Sequence, residues 1–257
     1  GQIIYARLVN KHINICYGTT SFALRTSEIP TVAITTKGVI CPGEQLALTA
    51  TAGLDSYLWS TGETTRTIYV TEPGNYSVVV GKRNGSALCE NTTEITVTAS
   101  SAAIIKHIDS EDWTRDHNSI KVTAIGAASF LYSIDGEHWQ DSNVFENLET
   151  GDYKVYAKDK FGCGMDEKDI VLLNYPKYFT PNGDGHHERW RIEFSVLEPK
   201  LKVAIYDRFG KMITAFGAMD EGWDGTYNGA QLPSTDYWFV VTRADGRELR
   251  GHFAMLR

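Results

Sequence analysis

A glycine turn that launches a tyrosine-bearing strand occurs twice, as Pro73-Gly74-Asn75-Tyr76-Ser77-Val78 and as Thr150-Gly151-Asp152-Tyr153-Lys154-Val155. The two glycines stand 77 residues apart, so each copy has room for one module about half the usual domain length. A second match precedes each turn at similar distance. Tyr57-Leu58-Trp59-Ser60 corresponds to Phe130-Leu131-Tyr132-Ser133, each an aromatic-Leu-aromatic run closed by a polar turn, Thr61-Gly62 or Ile134-Asp135-Gly136. Around these matches the apolar residues recur with period two, as in Leu46-Ala47-Leu48-Thr49-Ala50, Thr67-Ile68-Tyr69-Val70 and Lys202-Val203-Ala204-Ile205-Tyr206. That period belongs to strands with one buried face, and no run carries a long amphipathic helix. The expected fold class is all-β, a tandem of small antiparallel β-sandwich modules.

Tyr5-Ala6-Arg7-Leu8-Val9 reads as the late strand of a preceding module, which makes the chain a fragment opening close to a strand. The expected segments are 1–29 (the end of one module), 30–100, 101–174 and a fourth unit, 175–257, with a different internal pattern. Cys16, Cys89 and Cys163 follow Tyr5, Tyr76 and Tyr153 by 11, 13 and 10 residues, so each falls near its module's last strand. Cys41 opens its module, and a Cys41–Cys89 disulfide is expected, contributing about 2–4 kcal/mol by closing a long loop. On the same reading Cys16 pairs upstream of Gly1, and Cys163 is left unpaired. No two of the four cysteines are spaced as a metal half-site.

The 42% apolar and 22% charged residues suffice for a packed core. A net charge of -7 argues against nucleic-acid binding through general phosphate neutralisation. All of that charge lies upstream, because residues 175–257 hold 11 basic and 11 acidic side chains. An HExxH pair, a GxSxG elbow, a P-loop and a dinucleotide turn are all missing, and a non-catalytic protein is expected. Asp109, Glu111, Asp112 and Asp116 read as a solvated loop, with Trp113 among them the one aromatic suited to a sugar groove.

In the fourth unit, Asn182-Gly183-Asp184-Gly185 is a turn sequence, since glycine accepts positive φ and Asx side chains bond their own backbone. Asn182, Asp184 and Glu188 also offer hard oxygens at a spacing that could hold Ca²⁺. Asp207-Arg208-Phe209-Gly210 reads as a hairpin turn. Trp223 sits in a tight Gly222-Trp223-Asp224-Gly225 loop, as a plug for one end of the sandwich or as an exposed anchor. Tyr237-Trp238-Phe239 alternates faces, so at least one ring must point away from the core.

These blocks, Tyr178-Phe179-Thr180-Pro181-Asn182-Gly183-Asp184-Gly185, Val203-Ala204-Ile205-Tyr206-Asp207-Arg208-Phe209-Gly210-Lys211, Gly222-Trp223-Asp224-Gly225 and Leu232-Pro233-Ser234-Thr235-Asp236-Tyr237-Trp238, resemble the type B C-terminal sorting domain of the type IX secretion system. That family is also called the gliding motility-associated C-terminal domain. The upstream modules are similar to the Ig-like or PKD-like domains and SprB-type repeats of large surface proteins of gliding Bacteroidetes. The resemblance implies a secreted, cell-surface protein whose terminal β-sandwich is a non-catalytic signal for the translocon. It further implies attachment through an outer-membrane barrel of the PorP or SprF kind, with the upstream modules as spacer or adhesin. Phe179, Asn182, Asp184, Asp207, Arg208, Trp223, Tyr237 and Trp238 are the expected docking residues. The alternative is an adhesin fragment with a glycan- or protein-binding site in the upstream modules.

Overall fold

The computed structural model describes residues 2–9, 17–24, 26–127 and 129–257, in two compact units, Gly1–Ser100 and Ser101–Arg257. In the first unit β1 (Gln2–Val9) and β2 (Tyr17–Leu24) form an antiparallel hairpin with Tyr5 opposite Ser21. Seven strands follow: β3 (Ile34–Thr35), β4 (Val39–Ile40), β5 (Leu46–Ala50), β6 (Ser56–Trp59), β7 (Thr67–Val70), β8 (Gly74–Asn84) and β9 (Ala87–Ala99). They make a sandwich of two sheets, ordered β3-β5-β7 and β4-β9-β8-β6. Leu46, Leu48 and Ala50 alternate inward along β5 and share one core with Trp59, Ile68, Val78, Val80 and Val97. Trp59 is fully buried because its indole N–H donates to the Thr65 carbonyl at 2.8 Å, leaving no orphan donor.

The second unit opens with β10 (Ile104–Glu111), β11 (Asn118–Ile125), β12 (Phe130–Ser133), β13 (Val144–Leu148), β14 (Gly151–Asp159) and β15 (Met165–Leu172). Their sheets, β10-β11-β13 and β12-β14-β15, enclose Ile105, Ile120, Val122, Tyr132, Val155 and Leu172. The chain then runs through β16 (Tyr178–Phe179), β17 (Lys202–Tyr206), β18 (Met212–Gly217), β19 (Thr226–Tyr227), β20 (Ala230–Gln231), β21 (Asp236–Thr242) and β22 (Glu248–Met255). Five of these form one sheet ordered β16-β22-β21-β17-β18, and β19 pairs with β20 alone.

The C-terminal domain is less different from its neighbours than its sequence suggests. Its strand order β16-β22-β21-β17 repeats β4-β9-β8-β6, including the parallel pairing of the first strand with the last, Tyr178 with Ala254 and Val39 with Thr98. Each module also fixes the start of its penultimate strand in the same way. The hydroxyls of Tyr76, Tyr153 and Tyr237 donate to the carbonyls four residues upstream, those of Glu72, Glu149 and Pro233, at 2.8, 2.9 and 2.9 Å. This is the tyrosine corner of immunoglobulin-type sandwiches. Pro233-Ser234-Thr235-Asp236-Tyr237 lacks the glycine of the other two copies, which hid the third occurrence.

The expected Cys41–Cys89 bridge does not form, since Cys89 is a free thiol. Ile40 lies beside Ala99 at the far end of β9, whereas Cys89 sits opposite Lys82 near the β8–β9 turn. Ten residues of strand separate those positions by about 33 Å, against the roughly 4.4–6.8 Å between Cα atoms that a disulfide spans. Cys163, expected to be an orphan, is disulfide-bonded, as is Cys41; the expectation rested only on the lack of an early cysteine in residues 101–174. Cys16 lies outside the described residues.

Replacing Tyr237 by Phe keeps the buried ring and removes the corner bond, so urea denaturation is expected to show a loss of about 1 kcal/mol for the second unit.

Candidate functional site

Along β21 the alternation resolves into Tyr237, Phe239 and Val241 facing the core and Trp238 facing outward. The inner face of this sheet is not covered by a second full sheet. Two indoles supply much of that layer. Trp190 stacks on Phe253 with centroids 3.9 Å apart, and Trp223 meets Tyr237 at 4.8 Å and Phe179 at 5.5 Å. The backbones of Trp190 and Trp223 bond each other in both directions, at 2.8 and 2.9 Å. Their ring N–H groups donate to Pro176 and Thr226 carbonyls, each at 2.8 Å. Gly222 permits this approach: it sits at φ +92°, and a Cβ there would lie 2.5 Å from the Trp190 carbonyl oxygen. Phe179, Trp223 and Tyr237 are therefore buried core residues and leave the expected docking set. Phe179 and Tyr237 point inward from β16 and β21, and Trp223 packs on both from its loop where a second sheet is missing.

The Asn182–Glu188 segment is an internally bonded turn. Asn182 Oδ1 accepts the Asp184 N–H at 3.0 Å, Asn182 Nδ2 donates to Asp184 Oδ2 at 3.0 Å, and Asp184 Oδ1 accepts the His186 N–H at 2.7 Å. Glu188 Oε1 accepts the Gly185 N–H at 3.0 Å. The His186 N–H, followed by the Asn182 amide, holds the Asp184 carboxyl below its usual range. Asn182 Oδ1, both Asp184 carboxylate oxygens and Glu188 Oε1, among the oxygens that the spacing offered to calcium, accept these hydrogen bonds. Among the described residues no three His, Cys, Asp or Glu side chains gather as a metal site.

The outer face carries a different chemistry. Register places Tyr206, Trp238 and His252 in one row across β17, β21 and β22, and Ala204, Val240 and Arg250 in the next. Tyr206, Trp238, His252, Val240 and Arg250 line a groove of about 720 Å³ together with Asp207, Arg208 and Gly210. Trp238 is 41% exposed, with its ring 6.4 Å from that of His252. Asp207 does not pair with Arg208. Its Oδ1 accepts the N–H groups of Phe209 and Lys211, both at 2.9 Å, which fixes the turn. The Arg208 guanidinium lies 4.8 Å over the ring of Phe209, itself 81% exposed. Aromatic faces beside two guanidinium groups suit a partner that offers aromatic rings and hydrogen-bond acceptors. Tyr206, Arg250 and His252 were missed in the sequence because only strand register brings them beside Trp238.

A second constellation joins the two halves of this unit. Leu172 points into the core of the third module, while its neighbours Val171 and Leu173 belong to the C-terminal core. The Trp113 N–H donates to the Leu173 carbonyl at 2.8 Å, and the Trp113 ring packs against the C-terminal core. Its suitability for a sugar groove is thereby lost. Asp112, read as solvated, is instead buried: its side chain is 2% exposed and pairs with Arg243, 6% exposed, which also bonds Glu198 Oε2 at 2.8 Å and the Val171 carbonyl at 3.3 Å. Burial raises the Asp112 carboxyl, opposed by the Arg243 charge and the Leu173 N–H.

Residues 173–254 match the family described as the CHU_C type IX secretion signal domain. No curated protein matches the chain. Among solved structures it is similar to Sidekick-1 immunoglobulin domains 1–5, at 12% identity over 98% of this chain and 65% of that one, with a TM-score of 0.34. Murine CEACAM1b gives 9% identity over 55% of this chain and 98% of that one, TM-score 0.37. Dimeric latent PorU from Porphyromonas gingivalis gives 11% over 95% of this chain and 35% of that one, TM-score 0.23. The C-terminal part of the chain is a type IX secretion signal domain, and the protein is a secreted one.

The two tryptophans of the expected docking set should now behave oppositely. Trp223→Ala is expected to destabilise the second unit by about 3–5 kcal/mol, and Trp238→Ala by no more than about 0.5 kcal/mol, both read from urea midpoints.

Proposed function

We propose that the C-terminal domain, besides marking the chain for type IX export, holds it at the cell surface by docking on an outer-membrane barrel of the PorP or SprF kind. The upstream sandwiches serve as spacer or adhesin and make no catalytic contribution. The docking surface is the outer face of the five-stranded sheet, centred on Trp238 and bounded by Tyr206, His252, Arg208 and Arg250. One observation carries this reading: within the segment that matches the secretion signal family, aromatic and cationic side chains form one groove on a sheet face, while Phe179, Trp190, Trp223, Tyr237, Phe239 and Phe253 close the core. Exposed Trp, Tyr and Arg are the side chains that dominate binding energy at protein interfaces.

The test uses the full chain expressed in a host with a type IX system. Trp238→Ala combined with Arg208→Ala should leave the melting temperature unchanged, release the protein from the cell surface and abolish its recovery with outer-membrane barrels. Wild-type display of that variant, with its barrel still co-purifying, would refute the docking face.

A further inference from the structure

We propose that the folded export signal is the whole of residues 101–257, with the third module acting as an obligatory intramolecular partner of the secretion signal domain rather than as a spacer. This rests on the secretion role of the C-terminal domain and adds the extent of the signal.

Separable modules are joined by exposed linkers crossed by few contacts. No such linker exists here. β15 ends at Leu172, and by Asn174 the chain is already bridged to Glu193, whose N–H donates to the Asn174 carbonyl at 2.8 Å. Within three consecutive residues, Val171, Leu172 and Leu173, the strand serves both cores by the alternation of its faces. Trp113 lies against the C-terminal core with its backbone at φ 82°, a conformation costly for a bulky residue, held by the bond to Leu173. The return bond runs from the Leu173 N–H to Asp112 Oδ2 at 3.2 Å.

Charge fastens the same junction. Arg243, in the loop after β21, is clamped between Asp112 of the third module and Glu198 of the C-terminal domain. Arg247 reaches the Ser110 carbonyl at 3.1 Å. A segment limited to 173–254 would keep Arg243 and Glu198 but lose Asp112, Val171 and Trp113. Its arginine would be left half-paired and its core open on one side. The buried arginine is consequently a latch whose geometry requires both modules.

Amide hydrogen exchange of the full chain tests the coupling. Ile205→Val, a mild change inside the C-terminal core, should raise exchange in β21 about tenfold and raise it equally in β11 and β14 of the third module. In Arg243→Met, the two sets of strands should exchange at different rates. Unchanged protection of β11 and β14 in Ile205→Val would overturn the proposal. A second arm compares reporter fusions. Residues 101–257 should direct export where 173–257 do not, and equal export by both would also overturn it. Failure of both fusions would count instead against the secretion role, with exchange still deciding the coupling.

Discussion

A twisted sheet with one apolar face is stable only when something covers that face, and the C-terminal domain meets this need without a second sheet. Trp190 and Trp223, tied together through their backbones, lie across Tyr237, Phe239 and Phe253, and Val171 and Leu173 complete the cover from the preceding strand. Each large aromatic buries about 150–250 Å², which at about 25 cal/mol per Å² is roughly 4–6 kcal/mol as an upper figure. A few rings therefore replace a sheet. The glycines of Gly222-Trp223-Asp224-Gly225 follow from the same need, since the loop must bring its backbone against Trp190 and Met255 where a Cβ would collide.

This construction separates the aromatic residues into two classes with different consequences. Those buried in the core, Trp190 and Trp223 among them, are stability determinants, so changing them alters the fold before it alters recognition. Those on the outer face, led by Trp238, are held by register on rigid strands and can be changed with little structural effect. The domain's 11 basic and 11 acidic side chains leave it without net charge, while the upstream modules carry the acidity. Local placement of Arg208 and Arg250, rather than a long-range field, then defines what the outer face can bind.

The period-two runs and the 77-residue repeat made the sandwiches legible, because strand periodicity and turn chemistry are local properties. Tyr237-Trp238-Phe239 was likewise readable as a strand with one ring outside, although which faces were buried required the partner strands. What stayed hidden depends on contacts distant in sequence. Asp112 and Arg243 are 131 residues apart, and nothing around either announces an ion pair. Trp223 read as a docking candidate because the layer it completes is a loop, and Phe179 because its pairing with Met255 is remote in sequence. The expected cysteine bridge failed for a related reason: Cys89 falls near the β8–β9 turn, ten residues from the end of β9 that pairs with β4.

The two cores of residues 101–257, linked through Val171, Leu172 and Leu173 and by the Arg243 latch, must unfold together. Differential scanning calorimetry of that segment measures this directly. A single transition is predicted, with calorimetric and van't Hoff enthalpies equal, as for one cooperative unit. Two resolved transitions, or a calorimetric enthalpy well above the van't Hoff value, would contradict it.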